Sequence, residues 1–138
     1  MHVYLRRLFQ KKKIQQGQPA GELAGHHFTT GRNCCESVLL AHHDDIDPAI
    51  IEIAKAFGGG ISGSKCVCGA ITGGVMALSL HGQRKDAAKL VDLFKGRNKV
   101  TCCKALSAAY VWKSKEHLLN CRRLTSEVAE DVEKLLKK

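Results

Sequence analysis

The chain has 138 residues and a mass of 15.1 kDa, the usual size of one domain, so a single hydrophobic core is expected and a multidomain machine is excluded. With 44% hydrophobic and 25% charged residues, wholesale disorder and collagen-like repeats are excluded, and 5% aromatic residues without alternating β-branched runs argue against an all-β fold. Of the net charge of +9, Arg6, Arg7, Lys11, Lys12 and Lys13 supply five before the first acid, Glu22, so the basicity is partly a solvated tail and no specific nucleic-acid binding is expected.

Residues 1–18 read as a basic N-terminal appendage, and 19–138 as a single helical domain. No apolar stretch follows the basic start, so neither a secretory signal nor a transmembrane segment is expected, and the cytoplasm is the expected location. From Ala20 to Thr30 the apolar positions Leu23, Ala24 and Phe28 recur about every four residues, with Gly31 as a stop. Asn33 and Glu36 form a capping-box pair that starts a helix at Cys34. Asp47 and Pro48 repeat the logic for a helix through Ile50, Ile51, Ile53, Ala54 and Phe57, which Gly58 ends. The run 57–64 holds too many glycines for a helix and too little polarity for a linker, so its backbone is expected to approach something closely.

Ala70 to Leu80 is apolar nearly all round, as a central buried helix should be, and Gly82 ends it. Ala87, Ala88, Leu90, Val91 and Phe94 mark a helix closed by Gly96. Thr101 is predicted to cap a short segment carrying Cys102 and Cys103. Leu124, Val128, Val132, Leu135 and Leu136 lie on one face of a last helix, with Asn120 as a predicted cap before Cys121. The expected fold class is all-α, a compact multi-helix bundle with a glycine-rich loop before a central buried helix.

Seven cysteines are many for a chain without a secretory signal, and the number is odd. In a reducing compartment, clustered cysteines read as metal ligands, cluster ligands or redox thiols rather than permanent bridges. Cys34, Cys68, Cys103 and Cys121 each stand at a predicted helix start. Free N–H groups and the positive helix end there favour a thiolate and lower its pKa. Converging, the four would suit an iron–sulfur cluster or a tetrahedral zinc, although single cysteines also serve as small buried hydrophobes. The close pairs are Cys34-Cys35, Cys102-Cys103 and Cys66-x-Cys68, so zinc-finger spacing is absent, as is the C-x-x-C-H run of covalent haem. His26, His27, His42, His43 and His81 are candidate extra ligands or proton relays. No hydrolase triad stands out, and the Gly58-Gly59-Gly60 run lacks the Lys-Ser/Thr ending of a phosphate loop.

The order Gly31-x-Asn33-Cys34, Phe57-Gly58-Gly59-Gly60-Ile61, Cys68-Gly69-Ala70-x-x-Gly73, Cys103-x-x-Leu106 and Cys121 resembles the C-GCAxxG-C-C family of redox-active proteins, from about Ala24 to Leu136. The resemblance places the four signature cysteines on Cys34, Cys68, Cys103 and Cys121. It implies an anaerobe's protein, related to the iron–sulfur domain of split-Soret cytochrome, and hence an iron–sulfur cluster, without that cytochrome's haem-attachment motifs. Cys35, Cys66 and Cys102 are additional thiols, and Gly58, Gly59, Gly60, Gly69 and Gly73 are expected near the site. The first function this implies is electron transfer to a redox partner protein, with a homodimer compatible. The alternatives are a thiol–disulfide oxidoreductase in which a low-pKa cysteine such as Cys34 attacks, and a zinc-binding structural adaptor.

Overall fold

The computed structural model describes residues 18–137, so the basic appendage lies outside the described residues apart from Gln18. Among the described residues, three helices begin where a short side chain accepts a free N–H group of the first turn. Helix α1 spans Ala20–Thr29, and α2, Cys34–His42, opens on the expected capping box. There the Asn33 side chain accepts from the Glu36 N–H at 2.8 Å and Glu36 accepts from the Asn33 N–H at 3.2 Å. Helix α3, Pro48–Lys55, starts with Asp47 accepting from the Ala49 N–H. It ends before Gly58, and Ile53 faces solvent, so α3 lies at the edge of the core.

Helix α4, Gly69–Leu80, is the central helix, packed by α2, α5 (Ala87–Asn98) and α7 (Lys115–Leu136). Its low side-chain volume makes that possible. A Cβ on Gly73 would stand 2.5 Å from the Cys35 carbonyl oxygen, so α4 and α2 touch backbone to backbone at this point. Leu39, Leu78, Leu90, Phe94, Val128 and Val132 fill the core around it. A single 3-10 turn, Arg84–Asp86, leads into α5, and α6, Cys103–Ser107, is a short helix before α7. The buried carboxylate of Asp131 pairs with Arg97, which ties α7 to α5, and Glu133 accepts the Ala20 N–H at 2.7 Å, which ties α7 to α1.

The described residues form an all-α bundle, with one isolated antiparallel bridge between Val67 and Cys102. Three expected helix ends fall elsewhere. Helix α5 runs through Gly96 to Asn98 and turns at Lys99, with Arg97 beyond the glycine held by Asp131 of α7, against the low helix propensity of glycine. Thr101 does not cap α6; its carbonyl is taken by the Cys68 N–H, and Cys102 holds the capping position without a side-chain bond. Asn120 is no cap either. Helix α7 begins a full turn earlier, where Ser114 accepts from the His117 N–H, so Cys121 lies inside the helix. Among the described residues no helix is long and apolar enough to cross a membrane.

Candidate functional site

One cavity of about 960 Å³ is lined by Cys34, Cys68, Cys103 and Cys121 together. Each comes from a different element. Cys34 is the first residue of α2, Cys68 caps α4, Cys103 opens α6, and Cys121 is in the second turn of α7. The cavity wall is completed by Gly59, Gly69, Leu106, Trp112 and His117. Gly69 is required here, because any Cβ on it would collide with the Cys34 sulfur and stand 2.6 Å from the Phe57 carbonyl oxygen. Among the described residues no three or more His, Cys, Asp and Glu side chains are grouped so as to hold one metal ion.

The glycine-rich segment makes the close approach its composition predicts. It folds into successive turns, with Lys65 and Cys66 N–H groups donating to Gly59 and Gly60 carbonyls at 2.9 Å each. Ile61, Ser62 and Lys65 adopt positive φ, and a β-branched residue such as Ile61 does so at a cost of about 1–3 kcal/mol. This strained loop brings Gly59 to the cavity wall and Gly60 against Cys103, while Gly58 packs on the Asn33 side chain. Gly73 is the exception among the expected glycines, serving the α2–α4 contact rather than the site.

The expected lowering of thiol pKa is reversed. Burial raises Cys34 and Cys68, and the backbone N–H groups of Gly59 and Cys35 at Cys34, and of Ala70 and Ile71 at Cys68, oppose it without overcoming it. Cys121 is pushed up to about 12, first by burial and then by the charges of Cys34 and Cys103. Cys103 is likewise raised by burial, against a hydrogen bond from Ser107. The physical reason is that removing a thiolate from water costs more than a helix end returns. In the free chain these are therefore protonated thiols lining one cavity, and binding a cation there would displace their protons.

His117, absent from the histidines singled out by sequence, is buried in the cavity wall. Its Nδ1 accepts the Lys113 N–H at 2.9 Å, so in the neutral ring the proton is on Nε2, which stands 3.1 Å from the Ser107 hydroxyl and 3.4 Å from the Cys121 sulfur. Burial first, and then Lys65, lower its pKa and keep it neutral. The Trp112 ring lies 4.4 Å from it, tilted by 34°, and the Lys65 ammonium lies 4.5 Å from the centre of a Trp112 ring. The signal was present in the spacing: His117 and Cys121 are four apart, hence on one helix face.

None of the five histidines singled out by sequence lines the cavity. His42 bonds the Ala129 carbonyl, His43 the Ala77 carbonyl, and His81 the His42 carbonyl, all at the other ends of α2 and α4. His26 and His27 are in the last turn of α1. Of the additional thiols, Cys35 is buried in the core beside Met76, and Cys66 and Cys102 are exposed outside the cavity.

A family model described as "Putative redox-active protein (C_GCAxxG_C_C)" matches residues 32–135, a span that contains all four cavity cysteines. No curated protein and no solved structure matches the chain.

Proposed function

The chain belongs to the C_GCAxxG_C_C family, whose description as redox-active supports a redox role, and from that premise we propose that it is a small electron-transfer protein holding an iron–sulfur cluster on Cys34, Cys68, Cys103 and Cys121. The observation that carries the reading is the meeting of four thiols from four separate segments on one cavity. The residues fit such a group. Gly69, having no Cβ, lets the Cys34 sulfur sit against the start of α4, and all four thiols line one cavity with room for a body larger than one ion. Bound there, an iron–sulfur cluster supplies one-electron chemistry at a potential set by its surroundings.

The chain's own residues supply those surroundings. N–H groups of Gly59 and Cys35 at Cys34, and of Ala70 and Ile71 at Cys68, stabilise negative charge on the sulfurs that carry it. The Nε2–H of His117 does the same for Cys121, while Trp112 and Leu106 limit the entry of water. Lys113, Lys115 and Arg122 stand with Leu118 and Leu119 along the same cavity, a basic and apolar rim suited to an acidic redox partner. Thiol–disulfide exchange beginning at Cys34 loses support, because burial disfavours the thiolate that must attack.

The test is the iron, zinc and acid-labile sulfide content, with a visible spectrum, of protein produced and purified without oxygen. Iron with sulfide and visible absorption is the expected result. A folded, colourless chain, either metal-free or holding only zinc, overturns the reading.

A further inference from the structure

Two of the thiols that the cavity leaves unused lie where segments 66–68 and 101–103 meet. Val67 faces Cys102 in an antiparallel bridge. The hydrogen bonds flanking it run from the Cys68 N–H to the Thr101 carbonyl at 2.9 Å and from the Cys103 N–H to the Cys66 carbonyl. In this register Val67 and Cys102 are the non-hydrogen-bonded pair, and Cys66 is directly opposite Cys103. Residues so placed share a face of the ladder with Cα atoms about 5.5 Å apart, within the roughly 4.4–6.8 Å that a disulfide spans. Alternation sends Cys102 to the other face, where its thiol lies 3.5 Å from the Lys65 carbonyl oxygen.

A second observation places the same two residues together. A Cβ on Gly60 would be 2.6 Å from the Cys66 nitrogen and 2.8 Å from the Cys103 Cβ, so both residues border the same glycine. Their accessibility differs in a useful way. Cys66 is exposed, whereas Cys103 is buried.

We propose that Cys66 and Cys103 form a dithiol that exchanges with low-molecular-weight disulfides, with Cys66 attacking and Cys103 resolving. The Cys66 sulfur, as thiolate, attacks one sulfur of the incoming disulfide; that S–S bond breaks, a mixed disulfide forms on Cys66, and one small thiol leaves. Cys103 then attacks the Cys66 sulfur, forming the Cys66–Cys103 bond and releasing the second small thiol. The two cysteines are oxidised by two electrons, the incoming disulfide is reduced to two thiols, and those thiols carry away the two cysteine protons. Closure also takes Cys103 out of the cavity set, so oxidation would dismantle the centre. That consequence rests on the proposed cluster; the dithiol itself does not.

The test exposes the full chain, as purified and again after chelation of its metal, to glutathione disulfide without oxygen. Thiol titration and mass spectrometry of tryptic peptides read the product, and iron is measured on the same sample, so a missing cluster and a missing bridge are separate results. After chelation the wild type is expected to lose two of its seven thiols and to link the peptide beginning at Cys66 to the peptide holding Cys103. Cys102→Ser should keep the linkage. Cys66→Ser should lose it with helical circular dichroism unchanged, and Cys103→Ser should accumulate glutathione on Cys66. A linkage that survives Cys66→Ser, a linkage that needs Cys102, or a chelated wild type that keeps all seven thiols overturns the proposal.

Discussion

The two ends of α2 and α4 carry different chemistry. At their N-terminal ends Cys34 and Cys68 meet Cys103 and Cys121 around a cavity; at their C-terminal ends His42, His43 and His81 gather, with the His43 and His81 rings 4.2 Å apart. Burial shifts both groups toward their neutral forms, raising the thiols and lowering His42 and His43. The difference lies in what satisfies them. Each of those three histidines has a backbone carbonyl partner, so that end is a closed structural contact. The thiols instead line one shared cavity from four segments of the chain, and buried nucleophilic groups gathered there point to a site.

The largest test of this contrast is removal of the thiols one at a time. Cys34→Ser, Cys68→Ser, Cys103→Ser and Cys121→Ser should each lower bound iron by roughly tenfold or more, while Cys66→Ser and Cys102→Ser leave it unchanged in the absence of disulfide. Iron content per folded chain measures this, and equal loss across both sets would break the comparison.

At the histidine end the effect is on stability and depends on pH. Burial lowers His42 from 6.5 to about 4, so the unfolded chain takes up a proton that the folded one refuses. The stability this group contributes is complete above pH 6.5 and is lost as pH falls toward 4, by at most about 3 kcal/mol. Urea midpoints at pH 7 and pH 4.5 measure it, and His42→Gln should flatten the slope. An unaltered slope would remove His42 as the cause.

Between the two ends, Gly73→Ala should cost about 1–3 kcal/mol by pushing α4 off α2. A fall in thermal midpoint with iron still bound would separate the packing of the helices from the chemistry at their starts; loss of iron at unchanged stability would contradict that division. A last test at the cysteine end is His117→Leu, which removes the N–H facing Cys121. It should weaken iron binding about tenfold and shift the visible spectrum, with the other three cysteines still ligating.

Much of the architecture was legible in local signals. The Asn33–Glu36 box, the Asp47–Pro48 start and the all-round apolar run of α4 were read correctly, because a cap acts within three residues and a periodic face within one or two turns. Signals with a rival nearby failed. Asn120 has the right chemistry for a cap, but Ser114 lies earlier and α7 passes through Asn120, whose side chain bonds the Leu106 carbonyl instead. Gly96 likewise ends nothing: α5 continues to Asn98, and Arg97 beyond the glycine pairs with Asp131 of α7.

The candidate site divides along the same line. Residue type and a predicted helix start singled out Cys34, Cys68, Cys103 and Cys121, and the family motif names the same four, because these are properties of short stretches of chain; for Cys121 the predicted start was wrong, since it lies inside α7. The sign of the thiol shifts, the exclusion of the five singled-out histidines and the entry of His117 came from packing. Desolvation and hydrogen-bond partners are set by segments distant in sequence, and no local pattern encodes how much water those segments will exclude.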